Sequence, residues 1–144
     1  MQAANETTEQ QAVIEWAGYA SGRYQALKNL YHVPNEGKRS RTAGGITKSM
    51  GLRPGVPDLM LDYPAGKYHG LRLEMKYGSN RPTVDQKDWL NRLQAAGYFV
   101  AVCWSANQAI ALLTEYCNLR PGTAMAADCP ELKTQYGVPA LKNL

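Results

Sequence analysis

Residues 70–104 constrain the fold more tightly than any other stretch of the chain. The segment GLRLEMK at 70–76 alternates apolar and polar residues through Leu71, Leu73 and Met75, the two-residue period of a strand. The segment TVDQ at 83–86 has the form of a capping box, and Trp89, Leu90 and Leu93 carry a helix on to Ala96, where Gly97 ends it. The run YFVAVCW at 98–104 is apolar throughout, as in a strand covered on both faces. A strand–helix–strand unit of this kind sets its two strands parallel and side by side. The predicted fold class is therefore α/β, a mixed β-sheet flanked by helices.

The flanking segments fill in the rest of that sandwich. Residues 8–22 read as a helix that Thr7 or Thr8 can cap, with Ala12, Val13, Trp16, Ala17 and Ala20 forming an apolar stripe at helical spacing. A short extended piece follows at 31–34, then a Gly- and base-rich stretch at 35–55 that is loop or, near 45–50, a weak helix. The segment DLMLD at 58–62, between Pro57 and Pro64, reads as a strand, and PAGKYHG at 64–70 as its hairpin connection to the next. The segment SANQ at 105–108 is a second capping box, opening a helix to about Cys117. Residues 118–144 contain three prolines and little periodicity. We therefore divide the chain into a domain at 1–117 and a tail at 118–144 that packs on the domain or on a dimer partner.

Length and composition exclude several classes. A chain of 144 residues suits one domain with a real core. No apolar run approaches the ~20 residues of a membrane span, and the polar, acidic start MQAANETTEQQ is not a signal peptide. Cys103, Cys117 and Cys129 form no CxxC pair, which argues against a disulfide scaffold or zinc ribbon and for a reduced, cytoplasmic setting. The motif GxxxxGK[ST] is absent, so no nucleotide cofactor is expected. The net charge of +4 is unevenly placed: residues 23–53 contain Arg23, Lys28, Lys38, Arg39, Arg41, Lys48 and Arg53 against the single acid Glu36. Such a local basic segment suggests a polyanion, with nucleic acid foremost.

The chemistry concentrates beside that segment. Asp58 follows Pro57 at the start of one strand, and Glu74 and Lys76 end the next, two residues apart and so on one face. Antiparallel pairing of the two strands would bring two carboxylates and an ammonium together. Carboxylates are hard ligands for Mg²⁺. A metal beside a lysine suits phosphodiester hydrolysis, in which the metal activates water and the lysine positions it or stabilises the phosphoryl oxygens.

At this point the chain resembles the PD-(D/E)xK nuclease superfamily and, within it, the virus-type replication-repair nuclease (VRR-NUC) family. The resemblance spans roughly residues 6–116. It is carried by EQQ at 9–11 with Trp16, HVPNEGKR at 32–39, GLRPGVPD at 51–58, GLRLEMK at 70–76, and Gln86 followed by Leu93, Gly97 and Tyr98. It implies metal-dependent, structure-selective DNA cleavage with Mg²⁺ or Mn²⁺, on branched DNA such as Holliday junctions. It also implies a phage or bacterial protein that acts in the cytoplasm as a homodimer.

Asp58 and Glu74 match the family's metal-binding carboxylates, the backbone carbonyl of Met75 a further ligand, and Lys76 the catalytic lysine. The family also places a glutamate on the first helix. Val13 and Trp16 lie about 40° and 20° from Glu9 around the helix, and Glu15 lies about 120° from Glu9. Glu9 is therefore assigned to the metal in preference to Glu15, with Glu6, about 60° from Glu9, as a helper. Gln86 matches the family's glutamine and is equally the third residue of the Thr83 capping box. Asn35 and Glu36 match an Asn-Glu pair that shapes the site. Lys38, Arg39, Arg41, Lys48 and Arg53 are expected to contact DNA phosphates. His32 and His69 are expected to be structural or phosphate-contacting. The competing reading is a DNA-binding module that keeps the fold without catalysis. A weaker third, a restriction-type enzyme with base-specific readout, lacks an evident recognition helix.

Overall fold

The computed structural model describes residues 4–34 and 49–126. Helix α1 runs Glu6–Ala20, two residues earlier than the periodicity alone places it. Its cap is Asn5, whose side chain accepts from Thr8 N at 2.9 Å while Thr8 Oγ1 accepts from Asn5 N at 2.8 Å. Thr8 is thus the reciprocal half of a capping box rather than the cap, and Asn5, the better capping residue, takes the start. A 3₁₀ turn at Gln25–Asn29 leads into β1, Leu30–His32, and β2 follows at Leu59–Leu61.

The strand–helix–strand unit forms as its pattern requires. Strand β3 is Leu71–Met75, α2 is Val84–Ala95 and β4 is Phe99–Cys103, with β3 and β4 parallel from Leu71↔Phe99 to Met75↔Cys103. Thr83 closes a full capping box with Gln86. Helix α3, Ala106–Cys117, is capped by Ser105. Here the Gln108 side chain accepts at 2.7 Å from the N–H of Trp104, one residue before the cap, so it ties the end of β4 to the helix start.

The four strands lie in the order β1-β2-β3-β4, antiparallel except for the β3–β4 pair. The two-residue period sends Leu59, Leu61, Leu71, Leu73, Met75, Ala101 and Cys103 into one core with Val13 and Ala17 of α1 and Leu112, Leu113 and Tyr116 of α3. Each of the fully buried leucines contributes about 1.5–3 kcal/mol there. Val100, Val102 and Trp104 face the other way, against Leu90 of α2. The sheet is therefore covered by α1 and α3 on one side and α2 on the other.

Residues 118–126 pack back on this core. Met125 is buried, its N–H donates to Tyr68 Oη at 3.0 Å, and Lys67 N donates to Thr123 O at 2.9 Å. Gly66, at φ +58°, sits so close that a Cβ would lie 2.3 Å from Thr123 O. Residues 127–144 and, of the possible helix at 45–50, all but 49 and 50 lie outside the described residues. None of the described helices is long and apolar enough to cross a membrane.

Candidate metal centre

The β2–β3 register puts Leu59 opposite Leu73. One step further, beyond the paired residues, Asp58 stands opposite Glu74 on the same sheet face. Asp58 Oδ2 accepts from Met75 N at 2.7 Å, which holds the carboxylate against the neighbouring strand. Lys76 N donates to Cys103 O at 2.7 Å, extending the parallel ladder past Met75 and placing the lysine two residues beyond Glu74. Lys76 Nζ is 4.0 Å from Glu74 Oε2, and both side chains are buried.

A third carboxylate joins from α1. Ligand oxygens of Glu6, Asp58 and Glu74 all lie within 4.8 Å of one another. Among the described residues, Glu9 is not part of this group. The helix carboxylate at the cluster is Glu6, and the expectation for Glu9 is corrected on this point of geometry. The reason is the phase of the buried stripe. Val13 and Ala17 are buried whereas Trp16 is only half-buried. Glu6 lies about 20° from each of Val13 and Ala17 around the helix, and Glu9 about 40° and 80°. Weighting Trp16 as a core residue pulls the inferred stripe towards Glu9, and starting the helix at 8 leaves Glu6 outside it.

Gln86 caps its helix and also touches Glu74. Its Oε1 accepts from Thr83 N at 2.8 Å, and its Nε2 donates to Glu74 Oε2 at 3.3 Å. The loop before Asp58 presses on the same helix start: Gly55, at φ +86°, leaves room for no Cβ, which would lie 2.7 Å from Gln86 N. That approach accounts for a glycine in the segment GLRPG.

The charge balance is lopsided. Three carboxylates converge on one ammonium. Burial, foremost, and then the hydrogen-bonding contact with Asp58 and its charge push the Glu74 carboxyl from 4.5 up to about 11, with Lys76 pulling the other way. Glu6 is also raised, mainly by burial. Glu74 Oε1 is buried and, among the described residues, receives no hydrogen bond. A proton shared with Asp58 or, with both carboxylates ionised, a bound cation would satisfy that oxygen. The all-oxygen donor set fits a hard divalent ion such as Mg²⁺ or Mn²⁺.

The remaining site residues fall into two groups. Arg53 is exposed on the loop ahead of Asp58. Asn35, Glu36, Lys38, Arg39, Arg41 and Lys48 lie outside the described residues. His69 packs its ring against Gly97 and edge-on to Tyr98, with centroids 6.2 Å apart, a structural role. His32, by contrast, bonds to the main chain of Asp58, with Nδ1 2.6 Å from Asp58 O. Sequence reasoning missed that contact, although His32 ends the strand beside Asp58.

Comparison with known proteins agrees with this architecture. A family model described as the VRR-NUC domain matches residues 2–107. A solved structure described as a VRR-NUC domain protein is 26% identical, with a TM-score of 0.73, and the match covers 88% of this chain and 100% of that one. None of the curated proteins matches this chain.

Proposed function

The chain belongs to the VRR-NUC family, and from that premise we propose that it is a metal-dependent DNA endonuclease. The observation that carries the proposal is the convergence of Glu6, Asp58 and Glu74 beside buried Lys76, with one Glu74 oxygen left without a donor among the described residues. Asp58, Glu74 and Glu6 would hold Mg²⁺ or Mn²⁺, with the Met75 backbone carbonyl as a further ligand. When bound, the ion supplies charge neutralisation at the phosphate and a lowered water pKa.

The protein's own groups do the positioning. Met75 N fixes one oxygen of Asp58. Gln86 and Lys76 both face Glu74 Oε2, which leaves Oε1 to face a ligand. Lys76 keeps its ammonium beside the carboxylates, where it can orient the attacking water or stabilise charge on the phosphoryl oxygens. Arg53, with Lys38, Arg39, Arg41 and Lys48, would contact DNA phosphates, a sequence-independent contribution whose salt slope falls by about one for each neutralised residue.

The substrate we propose is branched DNA, such as a four-way junction, and the acting form a twofold homodimer. Paired nicks on a junction need two centres presented together, and each chain has one. The apolar stripe of α3 is buried in its own core, so a dimer contact would draw on other surface, such as exposed Tyr19 and Ile14 of α1. The deciding experiment is a cleavage panel of junctions, flaps, splayed arms and linear duplex, with Mg²⁺, Mn²⁺ or EDTA. Cleavage abolished by EDTA and strongest on junctions is the expected result. Metal-dependent DNA binding without cleavage of any substrate would favour the non-catalytic module instead.

A further inference from the structure

Asp58 occupies an unusual place in the sheet. It carries a carboxylate of the centre, yet it lies just outside β2, whose paired residues are Leu59–Leu61. On the β3 side its carboxylate is held by Met75 N. On the β1 side the ladder runs Leu30↔Leu61, Tyr31↔Met60, His32↔Leu59. Extended one step, it would set Val33 opposite Asp58, but Val33 precedes Pro34, and β1 ends at His32. The carbonyl of Asp58 therefore lies at the point where regular pairing stops. It is met there by a side chain: His32 Nδ1 is 2.6 Å from Asp58 O.

We propose that His32 is a positioning residue of the centre, its imidazole Nδ1–H clamping the Asp58 carbonyl so that the Asp58 carboxylate is held from both neighbouring strands. This rests on reading the Glu6–Asp58–Glu74 cluster as the metal centre. A carbonyl oxygen only accepts, so Nδ1 must carry the proton. The neutral ring is then the Nδ1–H tautomer. The imidazolium also donates from Nδ1, so the clamp holds in both charge states. His32 is exposed, so truncating the ring removes the clamp without opening a cavity in the core. Partners one bond removed from a metal ligand typically affect metal affinity or activity 10–100-fold when lost.

The test combines a spectroscopic readout with a pair of isosteres. Asn places an amide nitrogen near the position of Nδ1, whereas Gln places it near that of Nε2. In the metal-free full chain, ¹⁵N NMR of the neutral His32 ring should show a protonated Nδ1 and a bare Nε2. The signal is assigned by its loss in His32→Asn. An Nε2–H ring would overturn the clamp. Mn²⁺ affinity, read by calorimetry, should fall about 10–100-fold in His32→Ala and His32→Gln and recover in His32→Asn to within about threefold. His32→Ala with unchanged affinity, or Gln rescuing as well as Asn, would also overturn it. If the wild-type chain binds Mn²⁺ but cleaves no DNA, the nuclease reading fails and the affinity series still decides the clamp. If it binds no Mn²⁺, the metal-centre reading fails and the ring tautomer still decides the hydrogen bond.

Discussion

Asp58 and Glu74 reach the centre from strands, and Glu6 reaches it from a helix. The strand pair is placed by the β2–β3 ladder, with Leu59 opposite Leu73, and by the bond from Met75 N to Asp58. A slip of β2 by one residue would turn its core leucines to the other face, so the buried face holds the register and the register holds the two acids. The helix has no comparable lock. Its carboxylate depends on the rotation of α1 about its axis and on where its first turn begins, which the burial of Val13 and Ala17 and the Asn5 cap decide. Strand-borne groups at this centre are therefore set locally and strictly, and the helix-borne group is set by packing.

The sharpest way to break that comparison is to remove one charged group at a time. Asp58→Ala, Glu74→Ala and Lys76→Ala should each reduce cleavage by about a thousandfold in single-turnover assays, the scale of losing a principal electrostatic contact in a reacting site. Glu6→Gln should cost less, about 10–100-fold, and Glu9→Gln should change cleavage less than about twofold, as substitutions away from a site do. If Glu9→Gln proved the more damaging of the two, the helix phase assigned to α1 would be overturned.

The pH dependence probes strand-borne Glu74 foremost, with Glu6 raised in the same direction. In the metal-free protein Glu74 is pushed from 4.5 to about 11, chiefly by burial. A carboxyl with a raised folded-state pKa binds its proton more tightly folded than unfolded. Its contribution to stability is complete below about pH 4.5 and is lost as the pH rises towards 11. The melting temperature of the metal-free protein should therefore fall between about pH 6 and pH 9. Glu74→Gln should flatten that slope, and Mg²⁺ should raise the melting temperature most at its upper end. A slope unchanged in Glu74→Gln would mean that another group carries it.

The smallest effect concerns the caps. Asn5→Ala and Thr83→Ala should each cost about 1 kcal/mol in denaturant melts. Only Asn5→Ala should also lower cleavage, because Glu6 is the next residue, whereas Gln86 still meets Glu74 when the Thr83 hydroxyl is lost. Equal cleavage in the two variants would show that the first turn of α1 needs no cap to present its acid.

The period of each segment, its caps and its glycines determined much of this protein from sequence alone. Alternation through Leu71, Leu73 and Met75 and the apolar run into Cys103 specify the parallel pair, and the two-residue spacing of Glu74 and Lys76 puts them on one face. The box at Thr83 and Gln86 was equally legible, because capping chemistry lies within four residues. Other features arose only in the folded chain. The phase of α1 depends on α3 and the sheet, which choose Val13 and Ala17 over Trp16 as its buried line. The contact of Gln86 with Glu74 depends on how α2 packs against β3. The His32 contact joins groups 26 residues apart, and the pattern of neither segment refers to the other. Short-range periodicity encodes which face a residue occupies, whereas the group it meets across that face depends on the packing of whole elements, which no local spacing records.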